Sequence, residues 1–163
     1  MILKNKILNF VNNRADKEFD PYYVYDIQVI REHCRIFQNI NYKNKSIHFA
    51  SMANINPQFL SIVKEEMINV FVNSILHMKF AQEAGYNERE IIFTSSALTE
   101  KVMLFAHNCR VQINLDSPGQ LELWLKLFSE EPIGIRCNIG DKIKPYSTHA
   151  GFFIGSESRL GFT

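Results

Sequence analysis

Five short apolar runs punctuate the chain at a nearly constant interval. They begin at Ile47 (IHFAS), Asn69 (NVFVN), Ile91 (IIFTS), Val111 (VQINL) and Ile133 (IGIRCN), with successive starts about 22, 22, 20 and 22 residues apart. Runs this short, rich in Ile, Val and Phe, predict strands. Between them the apolar positions recur at three- and four-residue spacing, in PQFLSIVKEEM, SILHMKFAQEAG, LTEKVMLFAHN and SPGQLELWLKLF, which predicts helices. Ser74 is placed to cap the second of these helices, and Gly85 to end it. Strands alternating with helices at this period predict βα units on a parallel sheet. The strands are expected over residues 47–51, 69–73, 91–95, 111–115 and 133–138.

The flanks read differently. Residues 1–20 open with MILKNKILNFVNN, where Lys and Asn interrupt the apolar positions, and predict an N-terminal amphipathic helix. The same interruptions exclude the unbroken apolar core of a signal peptide. PYYVYD, residues 21–26, predicts an extended segment ahead of the repeat. After Gly140 the pattern lapses into DKIKPYSTHAGFFIGSESRLGFT, which has the Gly and Ser content of a loop. No GxGxxG or Walker A sequence follows any strand, which argues against dinucleotide and P-loop folds. A doubly wound sheet and a (β/α) barrel remain. Eight units close a barrel, and only the five strand-like runs are visible.

Composition narrows the class further. With 163 residues, 46% of them hydrophobic and 21% charged, the chain is long and apolar enough for one globular domain. A net charge of +1 gives no electrostatic footprint for nucleic acid or an anionic membrane. The thirteen Phe lack interleaved basic residues, so base stacking is not expected either. No stretch is long enough to cross a membrane. Cys34, Cys109 and Cys137 are far apart, odd in number and without a CxxC, a pattern expected of reduced thiols in the cytoplasm. His33, His48, His77, His107 and His149 show no HxH, HxxxH or HExxH, so no metal site is expected. His77 reads as an exposed or capping side chain rather than a base, and Cys137 as a buried thiol rather than a nucleophile.

PYYVYDIQVIREHC, ASMANINPQFL, IIFTSSALTEKVMLFA, INLDSPGQLELW, IRCNIG and THAGFFIGSESRLGF stand in an order and spacing that carry a family signal. Together they resemble the decarboxylases of the diaminopimelate and ornithine type, which use pyridoxal 5'-phosphate (PLP). The resemblance covers about residues 21–163 and matches the N-terminal part of the family's barrel, whose fold alanine racemases share. It implies an α/β fold: a partial (β/α) TIM-type barrel of about five parallel strands with outer helices. The first strand of that barrel ends in a motif resembling Ala-Val-Lys-Ala-Asn, whose lysine forms the Schiff base to PLP. Here Ala50, Ser51, Ala53 and Asn54 fall on the motif, and Met52 takes the lysine position. A thioether cannot condense with an aldehyde or move a proton, so no catalytic residue is assigned. Met52 is read as filling the top layer of the barrel core.

Other positions of the motif set have changed too. Phe71 and His77 stand where the family has an acid and a glutamate around the serine of the second strand, here Ser74. Leu98 replaces a common lysine, and Arg159 stands for the lysine of a Ser-Lys-Phe-Gly segment. Arg136 matches an arginine close to the cofactor and is the one residue assigned to cofactor binding. Asp116 and Ser117 are read as a cap for the next helix. The later phosphate loop and the residues that complete the site across a dimer have no counterpart. The resemblance therefore implies a fragment or degenerate relative of a PLP-dependent amino-acid decarboxylase, inactive because of Met52, with PLP possible but its retention in question. A non-catalytic interaction or regulatory protein of antizyme-inhibitor-like type is the alternative. An amino-acid substrate, a homo-oligomer and a missing C-terminal half follow as expectations. Five staves leave two open edges and an inner face expected to be apolar, with Phe49, Phe71 and Phe93 or their neighbours on it.

Overall fold

The computed structural model describes residues 2–13, 23–129, 131–138, 158 and 160–162. The amphipathic N-terminal stretch forms helix α1 (Ile2–Asn12), and the rest of residues 1–20 lies largely outside the described residues. Tyr23–Asp26 is not helical, and the Asp26 carboxylate caps helix α2 (Ile27–Gln38) by accepting from the Gln28 and Val29 N–H groups. Four βα units and a fifth strand follow among the described residues. They comprise β1 (His48–Ala50), α3 (Pro57–Glu65), β2 (Asn69–Val72), α4 (Ile75–Glu83), β3 (Ile91–Phe93), α5 (Glu100–Asn108), β4 (Gln112–Leu115), α6 (Pro118–Phe128) and β5 (Gly134–Ile135).

All neighbouring strands are parallel, and their spatial order is β1-β2-β3-β4-β5, the order in sequence. Sequential order without reversal is the barrel arrangement rather than the doubly wound one. Local signals set the boundaries. The Ser74 hydroxyl accepts from the His77 N–H at 3.2 Å to start α4, and Gly85 follows its end at φ 90°, where a side chain would be strained. Pro57 occupies the first turn of α3, with the Asn56 side chain capping it. The strands are shorter than the apolar runs that announce them, because residues at the ends of the runs belong to the turns.

Register decides which side chains meet the helices. Phe49 pairs with Val70, Val70 with Ile91, and Val72 with Phe93 and so with Ile113. In-register residues of parallel strands share a face, and these pack with Leu60, Met78, Met103 and Trp124 of the helices in one core. The opposite, inner face carries Ala50, Phe71, Ile92 and Gln112 in one register, His48 and Asn69 below them, and Asn114 beside Gly134. The expected apolar inner face holds in the register of Ala50, Phe71 and Ile92, and is corrected around it, where His48, Asn69, Gln112 and Asn114 are polar. Of the three phenylalanines only Phe71 lies on it, because a period of two puts Phe49 and Phe93 on the helix side. Gly134 has a specific role there: a Cβ at that position would fall 1.9 Å from Asn114 Oδ1.

The fifth stave differs from the reading of residues 133–138 as one strand. Only Gly134–Ile135 pairs with β4, while Cys137 forms an isolated parallel bridge to Phe162. The Asn138 N–H donates to the Phe162 carbonyl at 2.7 Å, and the Phe162 N–H to the Arg136 carbonyl at 2.8 Å. Ile135 and Cys137, on the helix side of this stave, are exposed because no described helix covers them. That corrects the reading of Cys137 as buried. No helix among the described residues is long and apolar enough to cross a membrane.

Candidate functional site

A parallel sheet delivers every strand to the same edge, so its βα loops gather at one rim, where barrel enzymes place their chemistry. At the end of β1 the ladder runs one residue further, with the Ser51 N–H donating to the Phe71 carbonyl at 3.0 Å, and Ser51 is fully buried. The Ala53 N–H then donates to the Ala50 carbonyl at 3.0 Å and turns the chain. Met52 sits in this turn with 48% of its surface exposed. It does not fill a core layer, as the sequence reading expected, because the turn lifts it above the last paired residue. Asn54 fixes the exit: its amide donates to the Tyr25 hydroxyl at 3.0 Å and its Oδ1 accepts from the Asn56 N–H at 3.0 Å.

His77, in the first turn of α4, comes to the same place. Its Nδ1 lies 2.8 Å from the Ser51 hydroxyl, a hydrogen bond between the first and second βα units. Burial holds this imidazole below the usual histidine range, favouring its neutral form. The sequence reading named both residues without joining them. Only the register of β1 against β2 brings position 51 beneath position 77. Ser51 has no accessible surface, so the pair braces the rim rather than presenting a nucleophile. Leu98, at the position of a family lysine, is buried in the main core and contributes packing.

A second cluster sits at the ends of β3, β4 and β5. Asp116 is buried and accepts three ways. The Ser96 hydroxyl donates to its Oδ2 at 2.6 Å, the Gly161 N–H donates to Oδ1 at 2.9 Å, and Arg136 Nη1 lies 3.5 Å from Oδ1. Asp116 thus ties three loops together and does not cap α6, which corrects the reading from sequence. Ser117 occupies the N-cap position, but its side chain makes no capping bond. Gln120 does the local work instead, its Oε1 accepting from the Asp116 N–H at 2.7 Å and its Nε2 donating to the Ser95 carbonyl at 2.8 Å. Ser96 and Gln120 were not singled out in the sequence, since Ser and Gln in a loop and a helix carry no pattern of their own. Beside them Thr94 is 3% exposed, and its hydroxyl has no partner among the described residues. Arg159 and His149 lie outside the described residues.

The loops from strand end to helix read SMANIN, NS, TSSALT and DS, with Arg136–Asn138 after β5. None contains lysine, so none offers an ε-amine to an aldehyde. Arg136, half exposed at the rim and half neutralised by Asp116, is the cation of these segments. The residues present therefore suit a polar or anionic group held without a covalent bond, and do not fit a covalently held PLP.

Sequential parallel staves with polar groups at their C-terminal ends define an enzyme-type (β/α) barrel, here in part. Residues 27–153 match the family model for the pyridoxal-dependent decarboxylases, pyridoxal binding domain. Diaminopimelate decarboxylase of Methanothermobacter thermautotrophicus is 30% identical over 127 residues, covering 76% of this chain and 29% of that protein. Its counterpart in Bacteroides thetaiotaomicron is 27% identical over 150 residues, or 88% of this chain and 38% of that one. Among solved structures, a point mutant of diaminopimelate decarboxylase from Helicobacter pylori, complexed with L-lysine, superposes with a TM-score of 0.73. That match has 22% identity and covers 97% of this chain and 39% of that one. Ornithine decarboxylase from Entamoeba histolytica gives 0.67 at 16% identity, over 77% of this chain and 39% of that one. The chain belongs to the pyridoxal-dependent decarboxylases, within their pyridoxal binding domain, and spans well under half the length of these relatives.

Proposed function

We propose that this chain is a decarboxylase-type barrel segment that does not itself decarboxylate and that acts by association with another polypeptide. The observation that carries this reading is Met52. It stands on a fixed, exposed turn at the end of β1, at the position the family resemblance gives to the lysine that binds PLP. Replacing that amine with a thioether removes the group that condenses with the cofactor and exchanges protons. Arg136 is assigned to hold an anionic group such as the cofactor's phosphate, without a covalent link. The changes at Phe71, His77 and Leu98 support loss of the chemistry, since His77 now braces Ser51, Leu98 packs in the core, and Phe71 carries no ionisable group. The regulatory alternative is favoured by a separate observation. Among the described residues, nine of the seventeen exposed large apolar residues lie between Tyr23 and Tyr42, and such a concentration marks an interaction surface. Free thiols at Cys34, Cys109 and Cys137 support a reducing compartment such as the cytoplasm.

The test is direct. The purified chain is mixed with PLP, reduced with borohydride and weighed by intact-mass spectrometry, and carbon dioxide release is measured with diaminopimelate and ornithine. The expected result is no stoichiometric pyridoxyl mass increment on the chain and no release above the blank. A stoichiometric increment at one lysine, or sustained turnover, overturns the proposal.

A further inference from the structure

A half-open cavity lies at the far end of the sheet from Met52 and Arg136. It holds about 300 Å³ between the ends of α5 and α6, where β4 and β5 begin. His107, Arg110, Ile113, Trp124, Glu131 and Ile133 are among its walls, all from the α5–β4 and α6–β5 segments. Barrel enzymes place their chemistry at the opposite rim, so a ligand held here acts as an effector and not as a substrate.

Packing fixes one wall. The His107 ring stacks on Phe128, with centroids 4.0 Å apart, and meets the edge of Trp124 at 5.9 Å. Its Nε2 lies 2.8 Å from Glu131 Oε2, and Trp124 Nε1 donates to the Glu131 carbonyl at 3.3 Å. The Glu131 carboxylate is thereby held at the cavity, with Oε1 unpaired among the described residues. On the other wall, the Arg110 N–H donates to the His107 carbonyl at 2.8 Å and ties that residue to the end of α5. The Arg110 guanidinium has no hydrogen-bond or ion-pair partner among the described residues.

The cavity therefore presents an unpaired cation, a carboxylate with a spare acceptor, and an apolar floor of Ile113, Ile133 and Trp124. A simple anion would pair with Arg110 but meet the like charge of Glu131. A simple amine would pair with Glu131 but meet Arg110. A ligand carrying both charges satisfies both groups, and the mismatch rejects the others. A guanidinium takes a carboxylate through two parallel N–H donors. The volume stands at the lower end of the roughly 300–1,000 Å³ of small-molecule sites, which suits a compact ligand. We propose that this cavity binds a free α-amino acid with an uncharged aliphatic side chain. Its carboxylate lies on Arg110, its ammonium on Glu131 and its side chain against Trp124. The site is separate from the rim and stands whether or not the chain decarboxylates.

Trp124 is the one tryptophan of the chain, so its fluorescence reports on this cavity. The full chain is titrated with L-leucine and followed by Trp124 emission and by isothermal calorimetry. The expected result is one site per chain with a Kd of about 1 mM or tighter, and an emission change that saturates with it. Isoamylamine, which lacks the carboxylate, and isocaproate, which lacks the ammonium, are expected to bind at least about tenfold more weakly. Arg110→Gln and Glu131→Gln, both at exposed positions, are expected to weaken L-leucine about tenfold or more. Lys79→Gln, on the exposed face of α4, leaves binding unchanged. Circular dichroism checks that each variant is folded, and the two analogues carry the same test on the unaltered chain. No saturable binding of L-leucine overturns the proposal, as does an analogue that binds equally tightly. Binding that survives both substitutions, or that Lys79→Gln weakens as much, also overturns it.

Discussion

At the scale of single residues, the rim is organised by buried polar groups whose partners come from distant parts of the sequence. Asp116 is the clearest case, with Ser96, Arg136 and Gly161 converging on one carboxylate. Removing the carboxylate leaves the Ser96 hydroxyl and Gly161 N–H without their acceptor, so Asp116→Ala is expected to cost about 2 kcal/mol. A urea midpoint shift checks this, and Ser96→Ala, which removes one of the three, is expected to cost less. Gly134 offers a steric test. The 1.9 Å approach of a Cβ to Asn114 Oδ1 means Gly134→Ala overpacks the inner face, at roughly 1–3 kcal/mol. The double variant Gly134→Ala with Asn114→Ala frees that space and is expected to recover much of the loss. Met52→Lys restores an amine at the exposed turn, yet Phe71, His77 and Leu98 remain unchanged. Carbon dioxide release from diaminopimelate is therefore expected to stay at the blank. These positions illustrate what sequence could announce. Met52 and Arg136 stood out because they sit in recognisable segments. The Asp116 cluster did not, since only the fold joins residues 96, 116 and 161.

At the scale of elements, caps and acid-sensitive contacts set the stability of the βα units. Ser74 makes a capping bond to the His77 N–H, whereas Ser117 makes none. Ser74→Ala is expected to cost about 1 kcal/mol, and Ser117→Ala only a few tenths, read as the difference in chemical unfolding midpoints. The pH response has two limbs. Burial lowers the pKa of His48 and His77 below the ordinary value of 6.5. A folded pKa below the unfolded one means the unfolded chain takes up the proton first. Their contribution is therefore complete above about pH 6.5 and is lost as pH falls through the lowered values. Arg35 and Arg31, reaching from α2, lower the pKa of Glu66 beyond the end of α3. That contribution is present above the usual carboxylate value of 4.5 and fades below it. Stability is expected to fall in both windows on acidification. His77→Gln flattens the upper limb in part, because His48 remains, and Glu66→Gln flattens the lower. An acid decline that neither variant flattens in its own window would refute the assignment.

At the scale of the whole molecule, the mixed inner face changes what an incomplete barrel costs. An apolar lining would lose about 2 kcal/mol for each large side chain left in water. Because Phe49 and Phe93 face the helices, that penalty is confined to Phe71 and Ile92, and the main core closes between sheet and helices. The chain alone is therefore expected to unfold cooperatively as a monomer, checked by light scattering together with a thermal melt. The sequence by itself determined the βα repeat, the parallel sheet and the absence of an amine at position 52. Those properties are local: apolar period, turn residues and residue identity are all written along the chain. It did not determine which phenylalanines line the interior, whether Asp116 caps a helix, or which edge stays open. Each of those depends on register, and a slip of one residue exchanges the two faces of a strand. Pairing Phe49 with Val70 sent Phe49 outward to the helices, and pairing Asn114 with Gly134 carried Asp116 to Arg136. Contacts between residues far apart in sequence decided the rest, because only the folded sheet brings their side chains within hydrogen-bonding reach.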